Sequence, residues 1–124
     1  MADGAHPEPA FLSELAADAV LTTTYLEAPL HGAELVALVV RTAGSIYLSK
    51  HLRYAGRIEG RDIIAYEAAL PGGEALQSQV TLSRDEAGKV VGVNVGYSPL
   101  AATRAMSALL KSRLGQRLGQ ELFL

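Results

Sequence analysis

The chain has 124 residues, 49% hydrophobic and 19% charged, with a net charge of −2; this composition builds one folded domain and excludes a disordered chain. The absence of cysteine removes disulfides, thiol catalysis and cysteine-based zinc sites. A pI near 5.9 gives no pull toward nucleic acid, and the longest hydrophobic run, Leu35 to Val40, is far short of the roughly 18 residues of a membrane span.

Residues 1–8 are polar, hold Gly4 and Pro7, and read as a flexible tail. They lack the basic and apolar regions of a secretory signal, so the expected location is the cytoplasm. Pro9 fits the first position of a helix, and Phe11, Leu12 and Leu15 recur at helical spacing, predicting a short helix that stops near Asp18. Val20 to Tyr25 is rich in threonine and β-branched residues and reads as a short strand. Pro29 and Gly32 mark a loop. From Ala33, Leu35, Leu38, Val39 and Thr42 follow a helical period, with Val36 and Val40 widening the stripe, so this helix is expected to be deeply buried and to weaken or end at Gly44.

Strands are then expected over about 50–58, 62–70, 76–83 and 90–97, joined as an antiparallel meander. Pro71 to Glu74 fits a two-residue hairpin loop centred on Gly72-Gly73, which pairs Ala69 with Leu76, Glu67 with Ser78, Ala65 with Val80 and Ile63 with Leu82. A loop over Asp85 to Gly88 pairs Leu82 with Val91, Val80 with Val93, Ser78 with Val95 and Leu76 with Tyr97. Pairing Ile58 with Ile63 aligns Tyr54 with Glu67 and Leu52 with Ala69. One face then holds Leu52, Tyr54, Ile58, Ile63, Ala65, Ala69, Leu76, Val80, Leu82, Val91, Val93, Val95 and Tyr97, with Glu67 as its only carboxylate and Ser78 beside it. The opposite face holds His51, Arg53, Arg57, Tyr66, Gln77, Gln79, Thr81 and Asn94.

Ser98-Pro99 reads as a helix start with the serine hydroxyl as cap. That long C-terminal helix runs to about Leu114, with Ala102, Met106, Leu109, Leu110 and Leu114 as its apolar stripe and Arg104, Ser107 and Lys111 opposite. The domain is expected to span 9–118, leaving 119–124 as a C-terminal tail. Residues 1–40 carry six acids and no lysine or arginine, whereas 41–61 carry five basic residues and one acid. The expected reading of these blocks is solvated faces that balance one another.

The segments Phe11 to Val20, Pro29-Leu30-His31-Gly32, Arg84 to Val91 and Gly96-Tyr97-Ser98-Pro99, in this order and spacing, resemble the SnoaL-like group of the nuclear-transport-factor-2-like superfamily over about residues 10–100. The resemblance implies an α+β fold, a cone-shaped barrel in which a curved antiparallel sheet packs on helices around a pocket. It also implies a homodimer through the convex face of the sheet. The family's long opening helix is reduced here. The group holds isomerases, polyketide cyclases, hydratase-type enzymes, epoxide hydrolases and non-catalytic binders. The position of the isomerase base reads Thr22 or Thr23, hydroxyls too weak to replace a carboxylate; its acid partner falls at Gln79 or Val80. The epoxide hydrolase positions read Glu67, Ala69 and Val95.

These readings lead to a domain with an apolar pocket that binds a hydrophobic small molecule, without cofactor or metal. The alternative is an isomerase, cyclase or hydratase-type enzyme with Glu67 as general acid or base, since a carboxylate on an apolar face has a raised pKa. Against that role stands a Glu67 paired with Tyr54 or a basic residue, or turned outward by a one-residue change of register. Tyr25, Tyr54, Ser78 and Tyr97 are the candidate ligand contacts. The three histidines, His6, His31 and His51, show no metal spacing.

Overall fold

The computed structural model describes residues 8–124; the expected tail, including His6, lies outside the described residues up to residue 7. A 3-10 turn, Ala10–Glu14, leads into strand β1 (Leu15–Thr23), followed by the short β2 (Leu30–His31) and helix α1 (Ala33–Ile46). Strands β3 (Ser49–Ile58), β4 (Arg61–Ala69), β5 (Ala75–Arg84) and β6 (Val90–Ser98) follow, then helix α2 (Leu100–Leu118) and a closing 3-10 turn, Gln120–Leu122. The strands form one mixed sheet in the order β2-β1-β6-β5-β4-β3, which does not close into a barrel. Among the described residues no helix is long and apolar enough to cross a membrane.

The expected meander is present, and β1 joins it parallel to β6, with Val20 to Thr23 beside Gly92 to Val95. The strand expected from Val20 is thus the second half of β1, whereas the helix expected from Pro9 to Asp18 is reduced to the 3-10 turn and its last residues, Leu15 to Asp18, belong to the strand. Alanines favour a helix locally, but Ala19 is fully buried, and a ladder with a strand far along the chain outweighs local propensity. Helix α1 passes through Gly44 rather than ending there. Ser98 is the last residue of β6, paired with Gln77, and caps no helix.

The registers carry the largest correction. Leu70 N–H bonds Glu74 O at 2.9 Å and Gly73 N–H bonds Leu70 O at 2.8 Å. The loop therefore has three residues, Pro71 to Gly73, with Gly73 at φ 93°, a left-handed conformation that glycine adopts without a Cβ clash. Ala68 pairs with Leu76, Tyr66 with Ser78 and Ile64 with Val80. A shift of one residue exchanges the faces of β4: Tyr66 and Ala68 are buried, and Glu67 points to the outer face with Gln77 and Gln79. Between β5 and β6 the shift is two residues, so Ser78 meets Tyr97 and Val80 meets Val95 while the inner face keeps its members. A bulge between Ser83 and Arg84 puts Val90, not Val91, in the core. Glu59 and Gly60, both at positive φ, form the turn between β3 and β4, so Ile58 pairs with Arg61 and Tyr54 with Ala65.

Both helices lie on the inner face. Ala102, Met106, Leu110 and Leu114 of α2 are buried, as expected, together with Thr103 and Ser107. Ser107, expected on the exposed side, donates to Leu124 O at 3.1 Å. The segment expected as a C-terminal tail is docked: Phe123 is buried and bridges Leu26, and Leu124 N–H bonds Tyr25 O at 3.0 Å. At the opposite end Arg84 donates to Asp62 at 2.9 Å and to Glu14, tying the start of β1 to β4 and β5. The hydrogen bond from Arg57, with Arg84 adding to it, holds the Asp62 carboxyl below its ordinary pKa.

Candidate functional site

Three adjacent strands place Tyr66, Ser78 and Tyr97 in one row across the inner face. Strands two places apart stand about 10 Å from each other, so Tyr66 and Tyr97 rise as separate walls with the small Ser78 between them. Tyr47, immediately after α1, closes the gap from the helix side. Its hydroxyl lies 2.9 Å from that of Tyr66 and 2.5 Å from that of Tyr97. Tyr25, just beyond β1, stacks on the Tyr97 ring with centroids 5.1 Å apart and planes 19° apart.

These four tyrosines line a pocket of about 530 Å³, within the usual range of roughly 300–1,000 Å³ for small-molecule sites. Phe11, Val40, Ala43, Ile64, Val80 and Val95 supply apolar walls. Gly44 also lines it, and a Cβ there would meet nothing within 4 Å. Arg41, Lys50 and Glu8 add charge to the lining, and Arg41 is ion-paired with Glu8 at 2.6 Å.

Burial pushes the hydroxyl pKa values of Tyr25, Tyr47 and Tyr97 well above the ordinary tyrosine value, because a phenolate there would be stripped of water. All three are therefore neutral O–H groups at physiological pH. Two hydrogen bonds join the hydroxyls of Tyr66, Tyr47 and Tyr97. Tyr97 is also hydrogen-bonded to Tyr25, so the chain of hydroxyls extends over all four tyrosines.

Of the residues expected at the site, Tyr25 and Tyr97 line this pocket. Ser78 is buried beneath the tyrosine row and its hydroxyl has no hydrogen-bond partner among the described residues. Tyr54 is exposed on the outer side of the edge strand, opposite Ala65. Glu67 is also on the outer face, its side chain half exposed and 3.8 Å from Arg53. The one-residue shift that turned it outward leaves it no path to the pocket, so the geometry does not support a general acid or base at Glu67. Tyr47 and Tyr66 were missed. The signal for Tyr66 was present in the strand alternation but was read with the wrong parity, and Tyr47 belongs to a turn with no periodicity to read.

No protein-family model matches the sequence, and no curated protein does. Solved structures do. The chain is similar to an uncharacterized bacterial protein with a cystatin-like fold from Silicibacter pomeroyi DSS-3, at TM-score 0.79 and 15% identity, covering 86% of this chain and 75% of the other. It is similar to a steroid delta-isomerase from Pseudomonas aeruginosa at TM-score 0.78 and 19% identity, covering 86% and 79%. A nuclear-transport-factor-2-like protein of unknown function from Mesorhizobium loti gives TM-score 0.62 at 13% identity, covering 73% and 76%. At these identities the likeness shows the shared fold and carries no activity across.

Proposed function

We propose that the domain binds a hydrophobic small molecule bearing a hydrogen-bond acceptor, such as a ketone, inside the tyrosine-lined pocket of its nuclear-transport-factor-2-like fold. The observation that carries this reading is the hydroxyl chain Tyr66–Tyr47–Tyr97 in a pocket whose walls are largely apolar. An apolar ligand body would replace water along Val40, Ile64, Val80 and Val95. A phenolic O–H of the chain would donate to the acceptor, which fixes the orientation. The steroid delta-isomerase among the fold neighbours supports a ring-bearing ligand by analogy alone.

The test is calorimetric titration with 2-acetylnaphthalene and with 2-ethylnaphthalene, which has the same shape but no acceptor. Both are expected to bind, the ketone about three- to tenfold more tightly, the contribution of one neutral hydrogen bond. Failure of both probes to bind would overturn the reading.

The proposed assembly is a homodimer through the outer face of the sheet. That face presents Gln77, Gln79, Thr81 and Asn94, exposed or half exposed, with Asn94 already donating to Thr22 at 2.7 Å. It is a polar surface with an ordered pattern, of the kind hydrogen-bonded interfaces use. Light scattering at micromolar concentration should give about twice the 13.1 kDa of one chain, and a mass of one chain would refute the dimer.

A further inference from the structure

The pocket's charged lining is asymmetric. Glu8 and Arg41 neutralise each other, whereas Lys50 has no carboxylate partner among the described residues. Its ammonium lies 4.4 Å from the centroid of the Tyr66 ring, over the face of that ring. Lys50 is half-buried at the start of the edge strand, and burial lowers its pKa from the ordinary lysine value. A partly desolvated cation held on an aromatic face keeps much of its attraction for an anion, because less water competes. The uncharged polar groups in the pocket are the hydroxyls of the tyrosines and of Ser45. No unpaired carboxylate among the described lining residues repels a negative ligand.

We propose that the ligand of this pocket is a hydrophobic monocarboxylate, its carboxylate paired with Lys50 and its apolar body lying against Tyr66, Ile64 and Val80. One unpaired ammonium matches one negative charge. A phosphate, with its higher charge, would require a second free cation, and Arg41 is held by Glu8. The inference rests on the reading that the pocket takes an apolar body and adds the charge that selects among such bodies.

The experiment compares 2-naphthoate with the neutral 2-naphthamide by calorimetry at low salt, in the parent, Lys50→Met and Lys50→Arg. Methionine keeps an apolar stem on the Tyr66 ring while removing the charge. The parent is expected to prefer the naphthoate by about tenfold, in line with a hydrogen bond to a charged group. Lys50→Met should lose that preference while still binding the amide, Lys50→Arg should retain it, and added salt should weaken the naphthoate alone. If the amide binds but the parent shows no preference for the anion, or Lys50→Met keeps the preference, the carboxylate assignment is wrong and the pocket reading survives. If neither naphthoate nor amide binds, both fall together.

Discussion

Replacing Leu110 with alanine is expected to destabilise the protein by about 2–5 kcal/mol, the range for deleting a fully buried leucine side chain. Leu110 has no exposed surface and stands in the stripe with Met106 and Leu114, where α2 covers the inner face of β5 and β6. Among the described residues nothing else takes that place, since a single 3-10 turn rather than a long helix leads into β1. The site also has little room to collapse, since α1 packs against α2 from the side. Urea unfolding followed by circular dichroism measures the loss. Leu100, which is 60% exposed on the same helix, is the control, and its alanine variant should fall within about 0.5 kcal/mol of the parent. Equal midpoints for Leu110→Ala and Leu100→Ala would show that α2 does not cover the core.

The second large effect is expected from Tyr47→Phe. The ring stays, but the oxygen that meets two other hydroxyls is lost. Tyr66 and Tyr97 are both buried, and each then loses its hydrogen bond to the Tyr47 hydroxyl. Leaving a buried polar group unpaired costs about 1–3 kcal/mol, and water entering from the pocket reduces the sum for two. A net destabilisation of about 1–3 kcal/mol is expected. Binding is the more specific readout: with the chain broken, the preference for 2-acetylnaphthalene over 2-ethylnaphthalene should change, whereas Tyr54→Phe, outside the pocket, should leave it as it was. A Tyr47→Phe protein with the stability and ketone preference of the parent would show that the three hydroxyls do not act as a unit.

What could be read from the residues depended on which errors alter the alternation of a strand. The inner positions of β5 and β6, among them Leu76, Val80, Leu82, Val93, Val95 and Tyr97, were legible although the pairing was displaced by two, because a displacement of two returns every side chain to its own face. The β4 positions were not, because Pro71-Gly72-Gly73-Glu74 admits loops of two or three residues, and a single hydrogen bond from Leu70 to Glu74 decides between them. That bond moved Glu67 out of the candidate site and Tyr66 into it. The α1 stripe and the buried face of α2 followed from their periodicity. The strand at Val20 was legible from its β-branched residues, but the first half of β1, Leu15 to Ala19, and the docking of Phe123 were not, since both depend on partners distant in the chain, Val90 for one and Leu26 for the other.

The hairpin of β4 and β5 tolerates insertion differently on the two sides of Leu70. One codon added between Glu67 and Ala68 would bring the Glu67 carboxylate into the row now held by Tyr66, or force a compensating bulge of the kind already present at Leu52 to Tyr54 and at Ser83 to Arg84. One added between Leu70 and Glu74 would lengthen the loop to four residues and leave both faces as they are. Insertions are therefore filtered by place rather than by size, the same genetic change being disruptive in the strand and silent at its tip.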